Sequence, residues 1–483
     1  MIIAIFSCYF VLMLAIGYWA WSSTKNLDDF ILGGRSLGPL PAALSAGASD
    51  MSGWLLLGLP GFAYIAGLEA VWMGLGLFLG TWANWRFMAA PLRQASERYN
   101  ALTLPDYFAN RYPKMGAGLR FSSAALILLF FLFYTSSGLV AGGKLFESVL
   151  DVDYEVAVTL GLVSVVAYTL FGGFLAVTWT DVIQALLMLG ALIALPVIAQ
   201  QEAGFGEMLT TVESLNPALL NPFTDAAGTP IGVISILSLM GWGLGYFGQP
   251  HILSRFKAIE STDKVPGAKK IAVTWTFLSL AGSLFIGWSS ISLIEQSDGD
   301  HEKVFIELIY LLTHPAVAGV LLAAILAAIM STADSQLLVA SSALSNDMYR
   351  ILKTNATPRQ LIWVGRFAVI MVAVCAWFLA LRPDSSVLAL VSYAWAGFGA
   401  AFGPVLLLSL YWKPLTARGV MAGMITGAVT VVIWKNLSGG IFDLYEIVPG
   451  ILLSTAAGVA ASLWGTDQLS QCAVDDSSIQ RGH

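Results

Sequence analysis

Charged residues are scarce in this sequence of 483 residues: they make up 11% of the chain, whereas hydrophobic residues make up 57%. Soluble domains usually carry about 25% charged residues. A chain with so little charge could not cover a water-exposed surface, so the composition excludes a soluble globular protein and indicates a lipid bilayer as its surroundings. The net charge of −6 is small and spread along the chain, which argues against a nucleic-acid partner.

Cysteine is also rare, and the sequence motifs of common enzymes are missing. Cys8, Cys375 and Cys472 are far apart and form no CxxC pair, so neither a disulfide framework nor a metal cluster is indicated. The sequence contains no HExxH, P-loop or GxSxG motif, and we therefore do not expect an enzyme. The histidines are scattered and are predicted to be solvated, in loops or at the tail: His251, His301, His314 and His483.

Long apolar segments dominate the rest of the chain. A membrane-spanning helix needs about 20 mostly apolar residues. Thirteen segments meet this condition, near 1–22, 39–66, 68–92, 118–143, 155–174, 179–200, 229–250, 270–294, 314–345, 361–381, 386–412, 417–435 and 445–465. The first has no early basic residue and no cleavage site, so it is predicted to be a retained helix. The alternative is that one or two of the thirteen are re-entrant or buried core helices.

The basic residues predict the orientation of these spans. If the N-terminus is outside, almost all of the 24 Lys and Arg residues fall on the inner side; the exceptions are Lys144, Lys303, Arg382 and Lys435. Basic residues collect on the cytoplasmic side of membrane proteins. The sequence therefore predicts an N-terminus outside and a cytoplasmic C-terminus, with residues 1–465 as one transmembrane domain and 466–483 as a short cytoplasmic tail.

The second span, within 39–66, is interrupted near its middle. Small residues precede Asp50, and Gly53 follows it. A charged residue at this depth opposes membrane insertion by about 2.5–3.5 kcal/mol, and such residues usually have a function. A buried Asp that holds neighbouring amides or hydroxyls in place is a second interpretation, compatible with the first.

The seventh span, within 229–250, is interrupted by four glycines and then by Pro250. Each glycine disfavours a helix by about 1 kcal/mol relative to alanine. Trp242 and Tyr246 are four positions apart, so a helical turn would place them on one face. The alternative is a close-packed helix interface of the GxxxG type. The glycines together with the aromatic residues favour an unwound helix that contacts a solute.

The two interruptions lie one five-helix unit apart. Breaks in membrane helices free backbone carbonyls and expose helix ends, which is typical of the binding sites of transporters. Spans two to six (39–200) and seven to eleven (229–412) would then be the two halves of an inverted repeat, with extra helices at both ends. This 5+5 architecture is the one expected for alternating access.

Three residues of the ninth span, Ala328, Ser331 and Thr332, lie on one helical face because they are three and four positions apart. Hydroxyl and carbonyl oxygens suit a hard monovalent cation, and there are too few carboxylates here for a calcium site. The alternative is that both hydroxyls bond to carbonyls of their own helix, as Ser and Thr often do in membrane spans. The residues alone leave both interpretations open.

These segments belong to longer stretches whose sequence is characteristic of one protein family. The stretches are 23–38, 44–60 (beginning LSAGASDMSGW), 101–108, 172–181, 238–252, 304–308, 323–342 and 390–404. On these stretches, which extend over nearly the whole chain to Trp464, the sequence resembles the sodium:solute symporter family, and within it the members that carry L-proline. The resemblance implies an all-α protein of a bacterial inner membrane, with the thirteen-helix form of the leucine-transporter fold.

The resemblance also implies site residues. Sodium would be held by three backbone carbonyls and two hydroxyls, those of Ala48, Met51, Ala328, Ser331 and Thr332. L-proline would lie beside the ion, against Ser52, Trp54, Tyr134, Trp242, Tyr246 and Pro250. Asp50 and Asp181 match acidic positions connected with sodium coupling, and direct ligation is not implied for either. Aromatic walls suit the apolar ring of proline, and helix ends suit its charged groups.

The expected function is sodium-driven uptake of L-proline, with membrane lipid as the surrounding partner and no obligate protein partner evident. One departure from the family pattern is Asp334, where a small uncharged residue is expected; an acid there would alter ion affinity or bond to a nearby helix. Two alternatives stay open. The first is the same fold with another cargo, such as pantothenate or a sugar, and the second is a sensor that binds L-proline without moving it.

Overall fold

The computed structural model describes residues 1–23, 31–170, 173–294, 299–382 and 384–464. The predicted tail, 466–483, lies outside this part of the chain. Within it the protein is almost entirely helical, and β-pairing is confined to two isolated bridges, Leu37 with Ile259 and Thr224 with Pro230. The predicted all-α fold class is therefore confirmed.

The helices are numbered here in chain order, and the short 3₁₀ and π segments and the single α-helical turn Arg350–Leu352 are named by their residues. They are α1 Ile2–Ser23, α2 Pro39–Asp50, α3 Leu59–Ala66, α4 Val71–Phe87, α5 Ala89–Arg98, α6 Leu104–Arg111, α7 Gly116–Leu150, α8 Tyr154–Thr169, α9 Phe174–Ala203, α10 Phe205–Leu215, α11 Val233–Gly241, α12 Pro250–Ala258, α13 Val265–Leu293, α14 Val304–Leu312, α15 Pro315–Ser342, α16 Pro358–Ala380, α17 Val387–Tyr411, α18 Ala417–Trp434 and α19 Ile447–Leu463. Helices suit a bilayer because they satisfy their own backbone groups.

Nine stretches of the described residues are long and apolar enough to cross a membrane. Three shorter apolar helices accompany them, at Tyr154–Ala167, Val233–Gly248 and Ile447–Leu463. Helix is found in each of the thirteen predicted segments, so their positions agree with the structure. The count of thirteen crossings stays a prediction, because the broken and short helices fall below the usual spanning length.

The second predicted segment is broken where the sequence predicts it. Helix α2 ends at Asp50, and Met51 follows with φ −85° and ψ 83°, outside helical geometry. The chain resumes as a π-helical turn, Trp54–Gly58, which leads into α3. The unwound backbone at Met51 and Ser52 frees the carbonyls before it from their usual helical partners.

The seventh predicted segment is broken as well. Helix α11 ends at Gly241, and a 3₁₀ segment, Trp242–Gly248, replaces the expected α-helix. Gln249 is extended, with φ −77° and ψ 107°, and Pro250 then begins α12. Proline is favoured at the first helical position because that position needs no N–H donor. The predicted interruption of this span is confirmed, and the helix continues eight residues beyond Pro250.

The glycines of the seventh segment let its backbone approach two neighbouring helices closely. A Cβ on Gly243 would lie 2.0 Å from the carbonyl oxygen of Gly76 in α4. A Cβ on Gly245 would lie 1.9 Å from Nε1 of Trp395 in α17. Both distances are far below van der Waals contact. The close-packed interface and the broken helix are therefore both present, and the two interpretations of these glycines hold together.

One group of ion pairs joins loops that are predicted to lie outside. Lys144 Nζ lies 2.8 Å from an oxygen of Asp300 and 2.6 Å from one of Glu302. Lys303 contacts Glu147 at 2.7 Å. Lys144 and Lys303 are two of the four basic residues assigned to the outer side. Both lysines pair with acidic residues in the same group of contacts, as expected if these residues lie on the same side of the membrane.

We predict that Gly282→Ala destabilises the protein, because a Cβ there would lie 2.1 Å from the carbonyl oxygen of Leu192 in α9. Overpacking a closed interface opposes folding by about 1–3 kcal/mol, so the midpoint of thermal unfolding in detergent should fall. Gly190→Ala is the matched control, since nothing lies within 4 Å of its added Cβ. Its midpoint should stay or rise, because alanine favours a helix by about 1 kcal/mol. Equal midpoints for the two variants would contradict the close contact of α13 with α9.

Candidate functional site

The broken end of α2 faces α15 through a cluster of oxygen atoms. Ser331 Oγ donates a hydrogen bond to the carbonyl of Ala48 at 2.8 Å, and Thr332 Oγ1 lies 3.2 Å from the same oxygen. Ser331 Oγ is also 3.1 Å from the carbonyl of Ala328. Met51 is fully buried at the break, three residues after Ala48. The structure thus brings four of the five residues predicted for the ion, Ala48, Ala328, Ser331 and Thr332, together at the contact of α2 with α15, and the fifth, Met51, is buried at the adjoining break.

The oxygen atoms of Ala48, Ala328, Ser331 and Thr332 are all neutral. The two hydroxyls donate to Ala48 in this arrangement, but a hydroxyl hydrogen rotates and can leave a lone pair facing a cation. Neutral hydroxyl and carbonyl oxygens suit a hard cation of low charge. The alternative, in which the hydroxyls bond to carbonyls of their own helix, holds in part for Ser331, which also contacts the Ala328 carbonyl, but both hydroxyls reach across to α2.

Asp50 connects the break to three aromatic side chains. Its carbonyl accepts hydrogen bonds from Trp54 Nε1 at 3.0 Å and from the Tyr134 hydroxyl at 3.1 Å. Its carboxylate oxygen Oδ2 accepts one from the Tyr246 hydroxyl at 2.7 Å. Oδ1 is buried and has no hydrogen-bond partner among the described residues. The interpretation of Asp50 as a buried acid that holds neighbouring hydroxyls is therefore confirmed.

The side chains predicted to enclose the solute meet around Asp50. The rings of Trp54 and Trp242 are 6.4 Å apart, and Ser52 and Trp54 are neighbours of the Tyr134 hydroxyl. These side chains and that of Tyr246 are at most 6% exposed, so a solute could reach them only after part of the protein moves. Pro250 lies further along the seventh segment, where it lines a cavity together with Ser254 and Arg255.

The α-helical turn that would place Trp242 and Tyr246 on one face is not present. Their segment is a 3₁₀ helix, in which residues three apart align instead of residues four apart. Trp242 contacts the rings of Trp54 and Tyr445, whereas Tyr246 contacts Trp395 at 4.9 Å. Trp395 Nε1 also donates to the Trp242 carbonyl at 2.7 Å, which holds the backbone in this form.

Asp181 lies in a second buried network, which the sequence did not predict as a network. Arg255 Nη2 contacts Asp181 Oδ2 at 3.1 Å, and both side chains are fully buried. The hydroxyls of Ser45 and Ser49 donate to the same oxygen at 2.6 Å and 3.1 Å. Because Ser49 follows Ala48, the network touches the segment that carries the oxygen cluster. The two buried charges compensate each other, since an isolated one would be strongly unfavourable.

Asp334, the departure from the family pattern, is fully buried on α15. Its oxygen Oδ1 accepts a hydrogen bond from Thr169 Oγ1 of α8 at 2.5 Å. Its other oxygen has no hydrogen-bond partner in the described part of the chain. The expected bond from this acid to a nearby helix is therefore present.

His251 is the clearest functional candidate that sequence reasoning missed. It is fully buried in the first turn of α12, and its ring centroid lies 5.6 Å from that of Phe131 and 5.7 Å from that of Tyr134. Neither ring nitrogen has a hydrogen-bond partner among the described residues. The prediction of a solvated or loop histidine is wrong, because the helix begins at Pro250 instead of ending there. Proline as a possible first helical residue was the available signal.

Two broken helices that meet at buried oxygens and aromatic rings define a membrane transporter of the leucine-transporter fold. A solved Na⁺-coupled sialic acid symporter shares this fold with a TM-score of 0.79 at 20% identity, covering 97% of this chain and 99% of that one. Mhp1, a nucleobase-cation-symport-1 family transporter, shares it with a TM-score of 0.59 at 14% identity, covering 90% and 93%.

The chain belongs to the sodium:solute symporter family, whose family model matches residues 30–427. The sodium/proline symporters of Salmonella typhimurium and Escherichia coli are each 49% identical to it, over 95% of this chain and 92% of their own length. The high-affinity proline transporter PutP of Bacillus subtilis is 48% identical, over 92% of this chain and 93% of its own. The family expected from the sequence is confirmed.

We predict that Asp181→Leu destabilises the protein by about 3–5 kcal/mol, because it leaves the charge of Arg255 buried without its partner. The double variant Asp181→Leu/Arg255→Met should recover much of this loss, since both charges are then gone. Thermal unfolding of the four proteins in detergent gives the coupling energy as a double-mutant cycle.

The half-exposed pair Lys264 and Glu260, 3.5 Å apart, is the control cycle. Its coupling should stay below about 1 kcal/mol because water screens it. If the losses from Asp181→Leu and Arg255→Met simply added, the two residues would not form a compensating pair.

Proposed function

We propose that this protein is a secondary active transporter that carries L-proline into a bacterial cell together with sodium, by alternating access. The relatives that are 48–49% identical to it are named sodium/proline symporters or proline transporters, and they match at least 92% of this chain. They are transporters and not enzymes. The structural observation that carries the sodium part is the convergence of Ser331 and Thr332 on the Ala48 carbonyl, at a break in a buried helix.

In this proposal sodium is held by the carbonyls of Ala48, Met51 and Ala328 and by the hydroxyls of Ser331 and Thr332. The ion would replace the two hydrogen bonds that these hydroxyls now donate to Ala48. Each hydroxyl would then turn its hydrogen away and offer a lone pair to the ion. Sodium binding therefore fastens the broken end of α2 to α15 by ion contacts in place of hydrogen bonds.

L-proline would lie beside the ion, against Ser52, Trp54, Tyr134, Trp242, Tyr246 and Pro250. The aromatic rings enclose the apolar five-membered ring, as the walls of small-molecule sites usually do. The free backbone groups and helix ends at the two breaks supply partners for the charged groups of the amino acid. Because these side chains are buried, the solute must enter through an opening that closes behind it.

Asp50 and Asp181 would couple the ion to the rest of the protein without binding it directly. Asp50 immediately precedes Met51 and holds the Tyr246 hydroxyl, so a shift of the break would move the wall of the proline pocket. Asp181 holds Ser45 and Ser49, on either side of Ala48 in α2. A common role in positioning α2 accounts for both acids.

The same proposal places thirteen spanning helices in the inner membrane, with the N-terminus outside and the C-terminus cytoplasmic. Residues 1–465 form the transmembrane domain, and 39–200 and 229–412 are its inverted repeats. The gathering of Lys144 and Lys303 with acids at one place supports this sidedness. Lipid surrounds the domain, and no protein partner is proposed.

Coupling follows from linked binding. Sodium that orders the pocket raises the affinity for proline, and proline raises the affinity for sodium by the same factor. Release of both on the inner side completes the cycle. One net positive charge moving inward gains about 2.3 kcal/mol per 100 mV of membrane potential, in addition to the concentration gradient.

We expect proteoliposomes that contain the purified protein to take up radiolabelled L-proline when an inward sodium gradient is imposed. Uptake should rise further with an inside-negative potential, because net charge enters with the solute. Liposomes without protein and a panel of unlabelled competitors are the controls: proline should compete, and pantothenate and sugars should not. Equal proline uptake with potassium in place of sodium would contradict sodium coupling. If another solute competed and unlabelled proline did not, that solute would replace proline as the proposed cargo.

Thr332→Ala should raise the sodium concentration for half-maximal proline uptake by roughly 5- to 150-fold, since losing a polar partner of this kind is worth about 1–3 kcal/mol. Thr332→Ser keeps the hydroxyl and should restore most of the affinity. Thr178→Ala is the matched control, because Thr178 is equally buried but its hydroxyl bonds within its own helix, to Phe174 at 2.8 Å. The same sodium dependence in the two alanine variants would remove Thr332 from the site.

A further inference from the structure

Tyr445 lies outside both proposed repeats, two residues before α19, yet its side chain reaches the proposed proline pocket. The residue is buried, with 9% of its surface exposed. The loop before it is fixed, because Trp434 Nε1 donates to the carbonyl of Leu444 at 2.9 Å. The position of Tyr445 is thus set by the hairpin of α18 and α19.

Two hydrogen bonds attach Tyr445 to the helices that surround the pocket. Its backbone N–H donates to Ser238 Oγ of α11 at 2.9 Å. Its hydroxyl donates to the carbonyl of Ser392 in α17 at 2.7 Å. Tyr445 therefore bridges the first half of the broken seventh segment to the helix that supports its second half.

The ring of Tyr445 stacks on Trp242, with centroids 5.5 Å apart and planes 25° from parallel. Trp242 also has Trp54 as a ring neighbour, at 6.4 Å and 39°. Tyr134, another side chain of the proposed pocket, is close enough to Tyr445 to interact with it electrostatically. Tyr445 thus belongs to the same aromatic group as three of the residues proposed to contact proline.

The backbone that carries Trp242 cannot by itself fix the direction of the indole ring. Trp395 holds the Trp242 carbonyl, but the indole ring still turns about its own side-chain bonds. Close packing from the terminal hairpin supplies the missing restraint: a Cβ on Gly241 would lie 3.1 Å from Val448 and 3.6 Å from the ring of Tyr445. The hairpin of α18 and α19 packs closely against Gly241, and Tyr445 covers the indole ring of Trp242.

We propose that Tyr445 is a positioning residue that holds the Trp242 ring against the solute, and so sets both the affinity for proline and the selectivity for its ring size. This inference rests on the proposed function. Tyr445 acts through Trp242 and not by contact with sodium, so its loss affects the solute far more than the ion. A loosened Trp242 widens the pocket, which penalises a small cyclic amino acid and tolerates a larger one.

The test compares Tyr445→Leu with Tyr445→Phe in proteoliposomes. Tyr445→Leu removes the stacked ring and should raise the KM for proline at least 10-fold, while the half-saturating sodium concentration, measured at saturating proline, changes less than 3-fold. Tyr445→Phe keeps the ring and loses only the bond to Ser392, so its KM should stay within 3-fold of the parent. The six-membered-ring analogue L-pipecolate should compete relatively better against Tyr445→Leu than against the parent protein.

Tyr154→Leu is the matched control. Tyr154 is another partly buried tyrosine whose hydroxyl donates to a carbonyl, that of Ala380 at 3.0 Å, and it lies outside the aromatic group. Its loss should change neither the KM for proline nor the preference over pipecolate. If Tyr445→Leu behaved like Tyr154→Leu, or lowered only the maximal rate, the positioning role would be disproved.

A second measurement keeps this inference separate from the proposed cargo. Fluorine NMR of the 5-fluorotryptophan-labelled protein, with the Trp242 resonance assigned through Trp242→Phe, reports on the ring directly. That resonance should shift and broaden in Tyr445→Leu but not in Tyr154→Leu. A parent protein that takes up no proline refutes the proposed function alone, whereas an unchanged Trp242 resonance in Tyr445→Leu refutes the positioning role whatever the cargo is.

Discussion

Breaking a helix inside a membrane leaves backbone carbonyls without helical partners, and each unsatisfied group in hydrocarbon opposes folding by several kcal/mol. At both breaks of this protein, side chains take the place of the lost partners. The acceptor carbonyls and their donors are Ala48 with Ser331 and Thr332, Asp50 with Trp54 and Tyr134, Leu55 with Ser283, Trp242 with Trp395, and Gly245 with Gln249. These bonds help to hold the two breaks in place.

This requirement also explains how an ion and a solute could be linked. The Ala48 carbonyl is satisfied by hydroxyls from α15, and the Asp50 carbonyl, two residues later, is satisfied by side chains of the aromatic pocket. In the proposed mechanism, an ion that displaces the hydrogen bonds to the Ala48 carbonyl also shifts the backbone segment that ends at Asp50. That shift changes the hydrogen bonds of Trp54 and Tyr134 to the Asp50 carbonyl. Linkage then runs in both directions, because each ligand changes the same local equilibrium.

Much of this arrangement is readable in the sequence, because it depends on local spacing. The common face of Ala328, Ser331 and Thr332 follows from helical periodicity, and the break after Asp50 follows from small residues around a buried acid. What sequence could not supply is the partner across space. Arg255 lies 74 positions from Asp181, and no periodicity connects them. Likewise, the side chain that bonds to the Trp242 carbonyl in the 3₁₀ segment, Trp395, is 153 positions along the chain.

The helices outside the proposed repeats also supply partners to buried residues inside them. Tyr9 of α1 accepts a hydrogen bond from Gln184 at 2.7 Å, one turn along α9 from Asp181, and both residues are buried. Tyr445, next to α19, stacks on Trp242. A core of ten helices alone would leave a buried amide without this partner and an indole without its neighbour. The outer helices therefore do more than surround the repeats. They supply buried contacts that the repeats lack, to Gln184 beside the Asp181 network and to Trp242 in the proposed proline pocket.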